Sequence, residues 1–370
     1  MTKTEFTKSA EDMLYLTVCV INGTIPAKER TEALDLSNLF EVCQEHMLTA
    51  CVAYALEAAG IRNNDFVQAK EKSIRKNIIL DSERSKILER LEAEHIWYMP
   101  LKGALLKDWY PKLGMRQMSD NDILFDSSFR ADVKCIMSEM GFACDHYGVS
   151  NDDAYYKQPV SNFEMHIELF DDLIEPKLKE YYINVKDRLI KDDENKFGYH
   201  FTDEDFYIYI TAHEYKHFSD GGTGVRTLAD TYIFLRKFGE SLDWDYISTE
   251  LSKLEIADYE KQNHELAMKV FNGKALTDKE RKLLDYYIFS GTYGNIENSF
   301  EKSMQKKAGG SKFRYVLQRI FPPMDIIRSW HPFFYRHKWL LPILWIYRPF
   351  HGLFKNRDKI RAELKLLAKK

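Results

Sequence analysis

Two blocks of sequence decide how this chain is read: YMPLKGALLK at residues 98–107 and RQMSDNDILF at residues 116–125. Ile96 to Leu101 is a short apolar run closed by Lys102-Gly103, and Ala104 to Tyr110 reads as a helix stopped by Pro111. Asp120-Asn121-Asp122 then leads into a short strand, Ile123 to Phe125. Ala131 to Met140 reads as a helix ended by Gly141, and Phe142 to Tyr147 as a further strand. Asn162 to Phe170 alternates, which sets Glu164, His166 and Glu168 on one face and Phe163, Met165, Ile167 and Leu169 on the other. Residues 96–170 therefore predict a small mixed α/β unit.

On either side the pattern is helical. Leu36, Leu39, Phe40, Cys43, Met47, Ala50 and Cys51 recur at helical spacing, with Asp35 or Ser37 as cap and Gly60 as stop. Ile74, Ile78, Ile79, Ile87 and Leu91 form a second such face, so residues 1–95 predict an N-terminal helical region. Residues 171–300 predict a helical domain, with helices over 204–218, 226–238, 244–254 and 256–271 and a glycine-rich break at 220–224. Residues 301–370 form a basic, aromatic C-terminal segment. The fold class is thus α+β: a small mixed sheet embedded in a mostly α-helical protein.

The 370 residues suffice for two or three packing units. The overall charge of −4 hides a split, because residues 301–370 carry 17 basic and 4 acidic side chains, a net of +13, and leave −17 on the rest. An acidic body makes nucleic acid an unlikely partner there. Five cysteines without C-x-x-C spacing fit reduced thiols and a cytoplasmic protein. The polar start predicts no secretory leader, and the longest strongly apolar stretch without a charge, nine residues from Trp339 to Tyr347, is too short to span a bilayer.

Asp120 and Asp122 are two apart on a strand and point the same way, so they can share hard divalent cations, which in turn bridge nucleotide phosphates. A third carboxylate is available from Glu164 or Glu168. Gly103 lets backbone N–H groups approach a phosphate, and Lys102 and Arg116 would offset charge on a leaving group, with Ser119 beside them. A D-x-D alone is common in acidic surface loops; the order of apolar strand, Lys-Gly, helix, D-x-D strand and acidic strand is the stronger signal.

These blocks resemble the "LKG…YP…R-x-M-S-D-x-D" pattern of the uncharacterised nucleotidyltransferase-like family of the DNA polymerase β superfold. Phe163-Glu164-Met165-His166 is similar to that family's acidic-x-His strand, His213-x-x-x-His217 to its histidine-bearing helix, and Arg226-x-x-x-Asp230 to its following Arg/Asp helix; the resemblance covers about residues 70–260. It implies a nucleotidyltransferase core at 96–170, with Mg²⁺ (or Mn²⁺) on Asp120 and Asp122 and NTP phosphates near Gly103. Glu164 would be a third metal ligand or the base that takes the acceptor's proton, and His166, His213, His217, Arg226 and Asp230 would meet substrate. The product would be an NMP unit moved from an NTP to an acceptor that the sequence does not name, whether small molecule, glycan precursor or protein. Ala104 stands where the wider superfamily has serine, and sixteen residues separate Gly103 from Asp120.

Other readings stay open. Asp120-Asn121-Asp122 also suits a nucleotide-sugar glycosyltransferase, although that architecture wants several parallel strands first. His213-Glu214-Tyr215-Lys216-His217 satisfies H-E-x-x-H, the zinc-protease pattern. Arg226 either joins the glycine turn to hold an anion or pairs with Asp230 four residues on. The chain is also readable as a catalytically silent binding module. Its tail, residues 311–370, suits a membrane surface, the acidic body of the same protein, or stacked nucleotides.

Overall fold

The computed structural model describes residues 1–171, 176–292, 294–309, 311–355 and 357–368. Five strands form one mixed sheet: β1 (Tyr98–Pro100), β2 (Asn121–Phe125), β3 (Ala143–His146), β4 (Asp152–Lys157) and β5 (Ser161–His166), in the order β1-β2-β5-β4-β3. Only β2 and β5 run parallel; the other three pairings are antiparallel. Helices surround this sheet, so the class is α+β and mostly helical. A single parallel pair is not the run of parallel strands that a nucleotide-sugar glycosyltransferase core needs.

β2 is the sheet's deepest strand, buried at every position. Ile123, Phe125, Phe163 and Met165 pack with Leu80, Ile87 and Leu91 of the long helix Asn64–Ala93 and with Val133, Ile136 and Met137 of the helix Arg130–Glu139. On the opposite face Leu124 and Met99 join Phe206, Tyr209 and Ile210 of the helix Asp203–Asp220. Alternation along β2 therefore turns Asp122, between Ile123 and Asn121, toward the Asp203–Asp220 side.

A third core unites residues far apart in the chain, from Ala10 to Leu56 with Val225 to Ile288. The N-terminal helices are thus packed against the later helices and not set apart from them. The single helix expected over residues 36–60 is two, Leu36–Glu45 and Thr49–Ala58. Met47 between them takes φ 52°, which ends the first helix. Asp35 is the cap, its Oδ1 accepting from the amides of Ser37 and Asn38 at 3.1 Å each.

Two further differences bear on the site. The strand expected over residues 162–170 ends at His166, because the amides of Ile167 and Glu168 turn to the carbonyl of Asn151 at 2.9 and 3.4 Å. The helix expected after Gly103 is one turn, Gly103–Leu106, followed by a short 3-10 segment. Strand β4 and the ribbon formed by Ile190–Lys191 and Tyr199–His200 have no counterpart in the sequence reading.

Candidate functional site

The parallel register sets Asp122 opposite Glu164 and Leu124 opposite His166. Asp122, Glu164 and His166 consequently face one side of the sheet. His166 Nε2 lies 3.2 Å from Asp122 Oδ1 and 3.6 Å from Glu164 Oε2, and one donor atom of each residue is within 4.8 Å of the others. Lys102 Nζ is 3.5 Å from Asp122 Oδ2. Asp120 stands just before β2, at the edge of this trio. Glu168 lies past the end of β5 and its carboxylate pairs with Lys179 Nζ at 2.8 Å.

Electrostatics reflect the crowding. Burial, then Asp122 and Glu164, push the Asp120 carboxyl up to about 6. Burial also works against the charge on Asp122, but Lys102 and His166 overcome it and hold that carboxyl well below the usual range. For His166, burial favours the neutral ring, yet its hydrogen bonds to Asp122 and Glu164 prevail and push it up to about 9. Two carboxylates and an imidazole converging on one point are a donor set for a divalent cation such as Mg²⁺, Mn²⁺ or Zn²⁺, and a bound cation relieves the same mutual repulsion. The residues fit such an ion, with His166, expected to meet substrate, standing among the donors.

Arg116 has a different place. Its Nε and Nη2 donate to the two oxygens of Asp230 at 2.8 and 2.9 Å, and the Tyr110 hydroxyl donates to the same carboxylate at 2.7 Å. All three side chains are buried. The bidentate partner of Asp230 is thus Arg116, where the sequence offers Arg226 as one alternative. Arg226 Nη1 instead donates to the Gln117 carbonyl at 3.2 Å. Together with Lys76 on the Ser119 carbonyl (2.7 Å), Ser73 on that of Gly114 (2.8 Å) and Tyr54 on that of Leu113 (2.8 Å), these contacts fasten the loop that delivers Asp120 and Asp122. The Ser119 hydroxyl points to Met47 Sδ at 3.7 Å.

Gly103 is required by this clamp. A Cβ there would lie 2.6 Å from Arg116 Nη1 and 2.8 Å from Met118 Cε. Lys102 before it adopts φ 38°, ψ −106°, a costly conformation for a residue with a side chain. The Ala104 amide already donates to Leu101 O at 3.2 Å, and a helix of one turn adds little dipole.

His213 and His217 share a face of the Asp203–Asp220 helix, with their Nε2 atoms 3.3 Å apart. Burial, then Lys102 and the neighbouring His217, lower the His213 ring well below its ordinary value; the exposed His217 is also lowered, to about 4, by desolvation and then Lys216, Lys102 and Arg226. Both rings thus feel the charge on Lys102. Glu214 is placed differently, since its carboxyl is directed to Thr231 and the Asp230–Arg116 pair, so the H-E-x-x-H pattern does not assemble as in a zinc protease. The Gly221–Gly224 turn is a packing joint: Val225 N donates to His46 Nδ1 (3.2 Å), and a Cβ on Gly224 would meet the Thr292 amide at 2.8 Å.

Two cations that sequence reading passed over face the carboxylates. Lys216 is held below its ordinary pKa by burial and then Lys102, and Lys76, also lowered by burial, is attracted to Asp120. Spacing offers a signal for Lys216, which is three residues from His213 on the same helix. The result is a knot of carboxylates ringed by Lys76, Lys102 and Lys216, which suits a cation and a polyanion together. A hollow of about 610 Å³ lined by residues including Asn22, Arg236, Trp244 and His264 shares no residue with this group.

A family model described as uncharacterised nucleotidyltransferase matches residues 32–272. Among solved structures, an antigenic nucleotidyltransferase-like protein from Paracoccidioides brasiliensis is similar at 15% identity and a TM-score of 0.34, over 55% of this chain and 95% of that one. A likeness of that size carries no argument. No curated protein matches the chain.

Proposed function

We propose a reaction from one premise: the chain belongs to the uncharacterised nucleotidyltransferase family. The reaction is transfer of an NMP unit from an NTP to an acceptor hydroxyl or similar nucleophile, with a divalent cation, Mg²⁺ or Mn²⁺. The observation that supports it is the convergence of Asp122, Glu164 and His166 within 4.8 Å, beside Asp120 and under Lys102.

In this reading Asp122, Glu164 and His166, with Asp120 at their edge, hold the cation, which when bound polarises the α-phosphate and lowers the cost of its developing charge. Lys102, Lys216 and Lys76 receive the triphosphate. The acceptor oxygen forms a bond to the α-phosphorus, the bond to the bridging oxygen breaks, and pyrophosphate departs with that electron pair. The acceptor's proton passes to a carboxylate of the same cluster. Arg116, clamped on Asp230, fixes the loop that carries Asp120 and Asp122 and does not reach for the leaving group.

Calorimetric titration of ATP, GTP, CTP and UTP with Mg²⁺ or Mn²⁺ against wild type and Asp120→Ala/Asp122→Ala tests this. Binding in the wild type and its loss in the variant is the expected result. Equal binding in both, or turnover of UDP-sugars with none of NTPs, overturns it.

A further inference from the structure

Among the described side chains of residues 312–348, many of the large apolar ones face outward. In the helix Lys312–Ile320, Phe313, Val316 and Leu317 stand at i, i+3 and i+4 and are exposed, while Tyr315 is buried against the Phe300 ring at 5.0 Å. A surface helix of a globular protein turns such a stripe inward. The helix Leu341–Lys355 repeats the arrangement, with Ile343, Ile346 and Tyr347 exposed and Leu344 buried. Phe321, Met324, Phe333 and Trp339 are exposed between them, Trp339 at 76%. Among the described residues, ten of the nineteen exposed large apolar side chains fall between Phe313 and Tyr347. The helix Lys312–Ile320 is nonetheless seated, through Tyr315 on Phe300 with Met304, Leu366 and Leu367 packed around them.

Charge indicates what covers this face. Residues 312–348 contain seven Lys or Arg and one Asp, and Arg314, Arg319, Arg328, Arg336 and Lys338 are exposed among the apolar groups. The Arg348 Nη1 is buried without a hydrogen-bond partner. Aliphatic side chains such as Val316, Leu317, Ile343 and Ile346 give bases nothing to stack on but enter acyl chains readily. Mixed aromatic, aliphatic and cationic side chains are the composition of a lipid interface.

We propose that residues 312–348 bind the surface of an anionic bilayer, with Phe313, Phe321, Phe333, Trp339, Ile343 and Ile346 in the headgroup–acyl boundary and the Arg and Lys side chains on headgroup phosphates. The contact is peripheral: among the described residues no helix is long and apolar enough to cross a membrane. The −17 body is repelled by the same surface, so the contact falls to the basic tail.

Sedimentation of the full chain with vesicles tests the proposal. Phosphatidylcholine vesicles containing about one-third phosphatidylserine are expected to bind it at least about ten-fold better than pure phosphatidylcholine, with the preference fading in high salt and the tryptophan emission shifting to the blue. Trp339→Ala/Ile343→Ser/Ile346→Ser, three exposed positions, is expected to lower binding by about ten-fold or more with unchanged circular dichroism. Arg336→Gln/Lys338→Gln should remove only part of the salt-sensitive binding. Absence of binding to anionic vesicles, or binding unchanged in the triple variant, overturns the proposal. So does tighter association with a single-stranded RNA oligonucleotide at the same salt, or self-association that the triple variant abolishes in a chain that ignores vesicles.

Discussion

Replacing Asp230 by Asn strands the Arg116 guanidinium in the protein interior. The two side chains are 9% and 6% exposed and joined by two parallel hydrogen bonds of 2.8 and 2.9 Å. Removing one partner of a buried pair costs about 3–5 kcal/mol, since the remaining charge keeps its desolvation penalty and loses its counter-ion. Arg116→Met leaves the Asp230 carboxylate with Tyr110 and should cost a similar amount, whereas Tyr110→Phe deletes one donor and should cost about 1 kcal/mol. In Arg116→Met/Asp230→Asn both charges are gone, so the double variant should be no less stable than either single one, a coupling of about 3 kcal/mol. Equilibrium urea unfolding followed by tryptophan fluorescence measures all four proteins. Single variants within about 1 kcal/mol of wild type, or a double variant whose loss is the sum of the two, would refute the clamp.

Stability should fall as pH drops from about 6.5 to about 4 because of His46. Its buried ring is held down to about 4 by burial, against the pull of the Ile288 carbonyl 3.1 Å from Nε2. The unfolded chain takes up the proton first, so about 3 kcal/mol present above pH 6.5 is lost by pH 4; His46→Gln should flatten that slope in urea titrations, and an unchanged slope would exclude the assignment. Gly103→Ala should cost about 1–3 kcal/mol, because the clamped Arg116 cannot yield to a Cβ at 2.6 Å; a melting temperature equal to wild type would contradict this. Under native conditions a thiol reagent should modify Cys135 and Cys144 quickly while buried Cys19, Cys43 and Cys51 react only on unfolding; mass spectrometry of early adducts on the latter three would count against the packing.

Local periodicity carried much of the fold. Alternation from Phe163 to His166 placed Glu164 and His166 together because a strand's period is fixed by backbone geometry. Strand β4, Asp-Asp-Ala-Tyr-Tyr-Lys, has no such alternation; pairing with β5 and β3 makes it a strand, and those partners are tertiary. The same limit hid the ion pair of Asp230. Spacing of four offers Arg226 as one candidate partner, while the actual partner, Arg116, is 114 residues away and no sequence period links them. The run from Leu36 to Ala58 reads as continuous because Met47 is apolar and fits the helical spacing, while its left-handed backbone closes the first helix with the Leu48 amide on the Cys43 carbonyl at 2.9 Å.

The motif that identifies the family divides into residues that hold and residues that act. Tyr110, Arg116 and Gly103 belong to the clamp, and Asn121, the middle of the D-x-D, is completely buried with Nδ2 on the Leu80 carbonyl at 3.0 Å and Oδ1 receiving Arg84 at 2.9 Å. Asp122, Glu164, His166 and Lys102 meet one another on the face of the sheet turned to the helix Asp203–Asp220. A structural ion pair gains from matching opposite charges, but at Asp120 the cost of burial and the repulsion from Asp122 and Glu164 exceed the attraction of Lys102 and Lys76. That excess is unfavourable for folding alone and favourable for gripping a cation, so neutralising Asp120 should raise stability in the absence of metal while weakening metal binding. Opposite signs for those two effects at one residue separate a binding site from a merely structural cluster. If Asp120→Asn is instead destabilised without metal, the carboxylates serve the fold and the cation reading fails.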